Sequence, residues 1–197
     1  VHKQLYRPSS KKVVIVDVPE MLFCTVKGKD DLNTSVAFKQ AVEALFSLSY
    51  LLKFTLKKSD LAIDYTVMPL EGLWWAEDMR TFSAQQKAKW HWQLMIMQPE
   101  FITKTQFSDG VQQLMLKKDL PALPKVVFES FNEGLSAKVL HVGPFSTEGS
   151  TVQRVHDFII ESGYRPYNKH HEIYLSDIRR AEPKNWRTVI RQPIQLV

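Results

Sequence analysis

Two eight-residue segments share one spacing: Trp92-Gln-Leu-Met-Ile96-Met-Gln98-Pro99 and Trp186-Arg-Thr-Val-Ile190-Arg-Gln192-Pro193. Four positions of W-x-x-x-I-x-Q-P are identical, and the copies begin 94 residues apart. Ahead of each stand a hydrophobic strand pair, a glycine (Gly28, then Gly143) and an amphipathic helix. Solenoids need more copies at a shorter period. The pattern therefore predicts a duplicated α+β fold of two strand-helix-strand-strand units. Helices are expected on one face of antiparallel sheets, with the other face left to line a central groove.

The first unit spans about 13–99 and the second about 125–193, in a single domain. A helical connector at about 103–118 joins them, opened by Thr103 and Gln106 at capping-box spacing and ended by Pro121 and Pro124. In the first unit, Val13–Val18 and Met21–Val26 read as a hairpin around Pro19-Glu20. A helix follows over about Ser35–Lys53, its stripe being Phe38, Ala41, Val42, Leu45, Leu48 and Leu52. A strand is expected at Ile63–Met68, and the polar stretch Glu77–Lys89 precedes the Trp92 strand. In the second unit, Lys125–Phe131 and Ala137–Val142 flank a hairpin signal at Asn132-Glu-Gly134. Ser150 and Gln153 read as a capping box for a helix running to about Ser162, stopped by Gly163. His171–Ser176 is the next strand. From Gly28 to Trp92 is 64 residues and from Gly143 to Trp186 is 43. The excess is assigned to a longer first helix and to an excursion over Trp75–Lys89 that covers one end of the groove.

Composition narrows the function classes. The 197 residues are 44% hydrophobic and 24% charged, with a mean hydropathy of −0.23, as in ordinary globular domains. No apolar run approaches the ~20 residues that span a bilayer, so no membrane partner is expected. The basic VHKQLYRPSSKK start lacks the apolar core of a secretory signal. Cys24, the only cysteine, rules out an internal disulfide and a cysteine-based zinc site. The cytoplasm is the simplest compartment. A net charge of +5 invites a nucleic-acid reading, but the cations are dispersed in pairs such as Lys11-Lys12 and Arg179-Arg180. No helix-turn-helix or zinc-finger spacing accompanies them, so no direct nucleic-acid binding is expected. His141 and His170-His171 lack partners at metal-binding spacing, and adjacent histidines on a strand face opposite sides. With no phosphate-cradling loop, dinucleotide fingerprint or G-x-S-x-G elbow, neither a metal nor an organic cofactor is expected.

The residues that can carry chemistry are few. In His171-Glu172-Ile-Tyr174-Leu-Ser176 a strand sends Ile173 and Leu175 one way and Glu172, Tyr174 and Ser176 the other. If the aliphatic side faces the helices, Glu172 and Tyr174 share the groove. A carboxylate beside a phenol can orient water, take a proton or bind a cation; an exposed strand face carrying a solvated glutamate fits the same alternation. Tyr65, in the corresponding strand of the first unit, is brought towards Glu172 by the pseudo-symmetry. Trp74 and Trp75 must point apart on extended backbone. One or both either pack in the core or form an aromatic wall suited to a flat organic ligand.

Pro69-Leu-Glu-Gly-Leu-Trp-Trp75, the Trp92–Pro99 stretch, Leu140-His-Val-Gly-Pro-Phe145 with Glu148, and His171-Glu-Ile-Tyr-Leu-Ser-Asp177 together resemble the GyrI-like small-molecule-binding domain. The resemblance runs from about Val13 to Pro193 and is closest to the stand-alone bacterial branch. It implies the duplicated fold read above and places Glu172 in a central pocket. Phe145 stands where the family often has tyrosine, so that hydroxyl is absent. Relatives include effector-binding modules that take hydrophobic cations, hydrolases that open the cyclopropane ring of DNA-alkylating cyclopropanoids, and inhibitors of DNA gyrase. The resemblance implies a cofactor-independent detoxifying hydrolase with Glu172 and Tyr65 as catalytic residues. Tyr174, Trp75, Trp74, Trp92, Met95, Phe145 and His141 would hold a planar hydrophobic or cationic small molecule. The alternatives are a non-catalytic binder of such ligands and, by family analogy alone, a partner of DNA gyrase.

Overall fold

Pro19-Glu20 does not turn the chain back on itself. The computed structural model describes residues 3–29, 35–77 and 90–197. In chain order these hold α1 (Lys3–Tyr6), β1 (Val14–Val18), β2 (Met21–Lys29), α2 (Val36–Lys58), β3 (Leu70–Trp75) and β4 (His91–Gln98). Then come α3 (Lys104–Met115), β5 (Val127–Phe131), β6 (Gly134–Val142), α4 (Glu148–Glu161), β7 (Tyr164–Pro166), β8 (His170–Tyr174) and β9 (Arg187–Leu196). The fold is α+β, and all pairings described are antiparallel. Instead of forming two hairpins, β1 pairs with β6 (Val14↔Lys138 to Val18↔Gly134) and β2 with β5 (Met21↔Phe131 to Thr25↔Val127). A two-residue hairpin loop needs positive φ at one or both positions, which Pro19 is barred from adopting. At the other link the Glu133 side chain is bonded to His171 and Arg191, which holds the chain in its new sheet.

The chain forms two compact units, and both links are crossings between them. Unit 1 comprises Val1–Glu20, Glu71–Trp75 and Asn132–Val197; unit 2 comprises Met21–Leu70 and Ala76–Phe131. Within unit 1 the strand order is β1-β6-β9-β8-β3, with β7 paired to the end of β9. Helix α4 packs on one face of this sheet, burying Val155 and Ile159 against Val13, Ala137, Val139, Ile190 and Ile194. The helix starts at Glu148, earlier than the expected Ser150 cap. Ser150 lies inside it, its hydroxyl bonded to the Thr147 carbonyl, and Gln153 bonds Asp157 instead. At the other end Gly163 takes φ +81°, a left-handed value suited to stopping a helix.

Unit 2 has the strand order β4-β2-β5 under α2. Ser35 caps α2, its hydroxyl accepting from Phe38 N–H, and the buried stripe Ala41, Ala44, Leu45, Leu48, Leu52 and Leu56 carries the helix beyond Lys53 to Lys58. Residues 62–69 form no strand, so the expected Ile63–Met68 strand is replaced by β3. The β-branched run there has neither partner strand nor strict alternation to recommend it. Thr103 and Gln106 cap α3 reciprocally. Gly110 of α3 sits against Leu48 and Leu52 of α2.

The tryptophan motifs pair alike. Trp92 lies opposite Gly28, and the Gly143 N–H donates to the Trp186 carbonyl at 2.9 Å. A methyl group on Gly28 would lie 2.1 Å from the Trp92 indole, so glycine there is a requirement of close approach. The polar stretch before Thr34 and the excursion beyond Glu77 fall outside the described residues.

Candidate functional site

Strand β8 has two polar faces, and its register against β9 says which is which. Glu172 lies opposite Ile190 and Tyr174 opposite Thr188, while His171 lies opposite Arg191 and Ile173 opposite Val189. Because Ile190 is in the α4 core, Glu172 and Tyr174 face the helix side. The expectation that the helix-free face carries them is overturned. Strand alternation separates the two faces but does not say which one a helix covers. Here β6 and β9 supply the apolar ground for α4, and β8 extends that face with polar side chains.

On this face Glu172 is held at both oxygens. The Tyr174 hydroxyl donates to Oε2 at 2.7 Å, and His170 Nε2 lies 3.2 Å from Oε1. The Glu172 side chain retains 15% exposure. Burial, then the charges of Glu172 and Glu148, push the Tyr174 phenol well above its ordinary value, so it is a proton donor throughout the neutral range. A contact from the Trp74 indole works the other way. Glu148 comes from the first turn of α4, where the helix N-terminus favours a carboxylate. The Phe145 ring stands edge-on to Tyr174 at 5.9 Å and against Trp186 at 4.9 Å. Thus Glu172, Tyr174, Trp74 and Phe145 come together, with His170, Glu148 and Trp186 added.

His141 shares this face, but Nδ1 bonds Thr151 at 2.9 Å and Nε2 faces Pro144 O and the Thr147 hydroxyl, an arrangement that fixes the β6–α4 turn. Trp75 points to the opposite face from Trp74, with Lys169 Nζ 3.8 Å over its ring. In unit 2, Tyr65 sits in the irregular segment before β3, edge-on to Phe101 at 5.5 Å, and its hydroxyl bonds no described residue. Burial raises that phenol also. Trp92 is buried against Phe38 under α2, and Met95 is buried on the sheet face turned away from that helix. Two concavities are described in unit 2. One of about 490 Å³ is lined by residues 115–121, Leu123 and Pro124. The other, about 340 Å³, lies over Leu52, Leu56, Ile102 and Gly110. Glu172 lines neither.

The opposite face of β8 carries a buried ionic cluster that the sequence reading missed. His171 Nε2 lies 2.9 Å from Glu71, and Nδ1 lies 2.9 Å from Glu133. Arg191 Nε reaches Glu133 at 2.9 Å, and Tyr6 donates to Glu71 at 2.6 Å. Lys138, on the same face, donates to the Gln4 carbonyl of α1. The side chains of Glu71, His171 and Arg191 are 0% exposed. Burial alone would depress His171, but the Glu133 charge and the bonds from both carboxylates outweigh it and raise its pKa. Burial likewise opposes ionisation of Glu133, yet Arg191 and His171 hold it below its ordinary value. Pairing the Glu71 and Glu133 carboxylates with Arg191 and His171 offsets the cost of burying these charges. The signal was present as Glu71 within Leu-Glu-Gly-Leu-Trp-Trp and Arg191 within Val-Ile-Arg: charged residues in apolar strands. Among the described residues no three His, Cys, Asp or Glu side chains are placed to hold a metal ion. None of the described helices is long and apolar enough to cross a membrane.

Comparison with known proteins gives a consistent picture. The GyrI-like small molecule binding domain pattern matches residues 11–195. The chain is similar to an uncharacterized conserved protein from Listeria innocua, with 35% identity, TM-score 0.91, and 98% and 97% of the two chains covered. It is also similar to a Listeria innocua hydrolase (33%, TM-score 0.85, 98% and 96% covered). A hydrolase encoded by lin2189 from the same organism matches at 32%, TM-score 0.84, with 98% and 96% covered. No curated protein matches.

Proposed function

The chain belongs to the GyrI-like small molecule binding domain family and is related to Listeria hydrolases, and on that premise we propose that it is a cofactor-independent hydrolase of cyclopropanoid alkylating agents. The observation that carries this reading is Glu172, a mostly buried carboxylate fixed by the Tyr174 hydroxyl, with Trp74 and Phe145 against Tyr174 and Trp186 against Phe145. Such a ligand is a planar dienone fused to a strained three-membered ring, and aromatic side chains suit its faces. Glu172 takes a proton from water as the water oxygen bonds to the strained ring carbon. The broken carbon–carbon bond leaves its electron pair to the dienone, which becomes a phenolate and, once protonated, a phenol. A positioned base contributes typically about 10²–10⁴-fold. An N–H or O–H at the carbonyl end stabilises the developing phenolate. Ring opening of this kind would detoxify the compound.

The test is to incubate the purified protein with a cyclopropanoid and follow the ring-opened phenol by mass spectrometry. Turnover above the buffer rate is expected. Tyr65 is the second catalytic candidate because its buried hydroxyl bonds no described residue. Tyr65→Phe should lower turnover several-fold while leaving the melting temperature unchanged; an unaltered rate removes Tyr65 from the mechanism. A second reading, a non-catalytic binder of cationic organic molecules, rests on the two carboxylates Glu172 and Glu148 acting on one aromatic site. Binding without turnover, selective for cations over neutral isosteres, would favour it.

A further inference from the structure

We infer that His170 is a positioning residue for Glu172, donating its Nε2 proton to Oε1 so that the carboxylate stays ionised and its plane stays fixed. The inference rests on the role proposed for Glu172 and on four observations. His170 and Glu172 are two residues apart on one strand and so share a face, with Nε2 and Oε1 at 3.2 Å. The other oxygen is taken by the Tyr174 hydroxyl. His170 is 4% exposed, which makes the imidazole a fixed neighbour rather than a surface side chain. Finally, β8 is clamped from its other face by His171 between Glu71 and Glu133, leaving the strand little freedom to rotate.

Two donors on two oxygens have a definite chemical effect. Hydrogen bonds to the charged form favour it, so each holds the carboxylate towards ionisation against the cost of burial. Removing one donor therefore loosens the base and makes it harder to ionise without deleting it. The groups facing the pair include Tyr174 on the same strand, Trp74 on β3, Glu148 and His156 on α4, and the already bonded His141 on β6. His156 acts electrostatically on His170 and is itself opposed by Asp157. His170 and Tyr174 both bond Glu172, and the test is made on His170.

Protein labelled with [13C-carboxyl]glutamate gives a titration of Glu172 by NMR, its signal assigned by its loss in Glu172→Gln. His170→Leu should move that titration upward by about one pH unit. His170→Gln, whose amide N–H can donate but does not titrate in this range, should return it most of the way. On a cyclopropanoid substrate the acid limb of kcat should shift in the same direction with little change in KM. An unchanged Glu172 titration in both folded variants overturns the inference, even if the protein is an active hydrolase. If the wild type proves inactive, the hydrolase reading fails, while the titration still decides whether His170 controls the carboxylate. If His170→Leu does not fold, His170→Ala, which also lacks the donor, is read in its place and should show the same upward shift.

Discussion

Tyr174 gives its phenolic proton to Glu172 across 2.7 Å on the α4 side of β8. That bond ties the candidate base to a side chain whose ring is itself fixed edge-on to Phe145. Tyr174→Phe keeps the ring and removes the donor. A hydrogen bond to a charged group contributes about 1.5–3 kcal/mol, so kcat should fall roughly 10- to 100-fold with a small change in melting temperature. Steady-state kinetics beside thermal unfolding checks this. A variant that loses stability but not rate would make the bond structural only.

The buried cluster on the other face gives the protein a pH profile of stability. His171 is raised from 6.5 in the fold, so its contribution is complete below that value and is lost as pH rises through the folded-state pKa. Glu133 is lowered from 4.5, so its contribution is complete above that value and is lost as pH falls through its own folded-state pKa. Together they place the cluster's greatest contribution between these two ordinary values. Urea midpoints measured from acid to alkaline pH should show this plateau. His171→Gln should remove the alkaline slope, and a parallel slope in the variant would contradict the assignment.

Arg191→Met should cost about 3–5 kcal/mol, the usual consequence of leaving buried carboxylates without their cation. By contrast Arg179→Ala, which breaks the exposed pair with Asp177, should leave the unfolding midpoint unchanged. Chemical denaturation of the two variants side by side makes the comparison, and equal losses would refute the burial argument.

Two glycines should respond oppositely to alanine. Gly28→Ala drives a methyl into the Trp92 indole and should destabilise by about 1–3 kcal/mol or more. Gly149→Ala, inside α4 with nothing within 4 Å of the added carbon, should stabilise by up to about 1 kcal/mol. Thermal melts settle both signs.

These positions also show what the sequence could and could not convey. The repeated motif and its glycines were legible because the pairing of Gly28 with Trp92, and of Gly143 with Trp186, leaves a residue signature in each copy. Alternation correctly put Glu172 and Tyr174 on one face and set Trp74 and Trp75 apart. It could not say that the α4 side was theirs, because that depends on which strand lies beside β8 and in what register. Partner choice was equally illegible for β1 and β5: their residues favour strands, and only distant contacts such as Glu133 with Arg191 decide against local hairpins. Ser150 and Gln153 had capping-box spacing, but a helix already begun at Glu148 leaves no N–H for the box to cap. His170 carries no metal-binding spacing, but its bond to Glu172 follows from the same alternation that places Tyr174.

If Glu172 is the base, Glu172→Gln, which preserves shape while removing the proton acceptor, suppresses turnover without abolishing binding. Turnover of a cyclopropanoid and its dissociation constant should be measured on the same preparation. The kcat is expected to fall by about 10²–10⁴ with affinity changed by no more than a few-fold. Wild-type turnover in Glu172→Gln, or a loss of affinity confined to cationic ligands without any loss of rate, would contradict this role for Glu172.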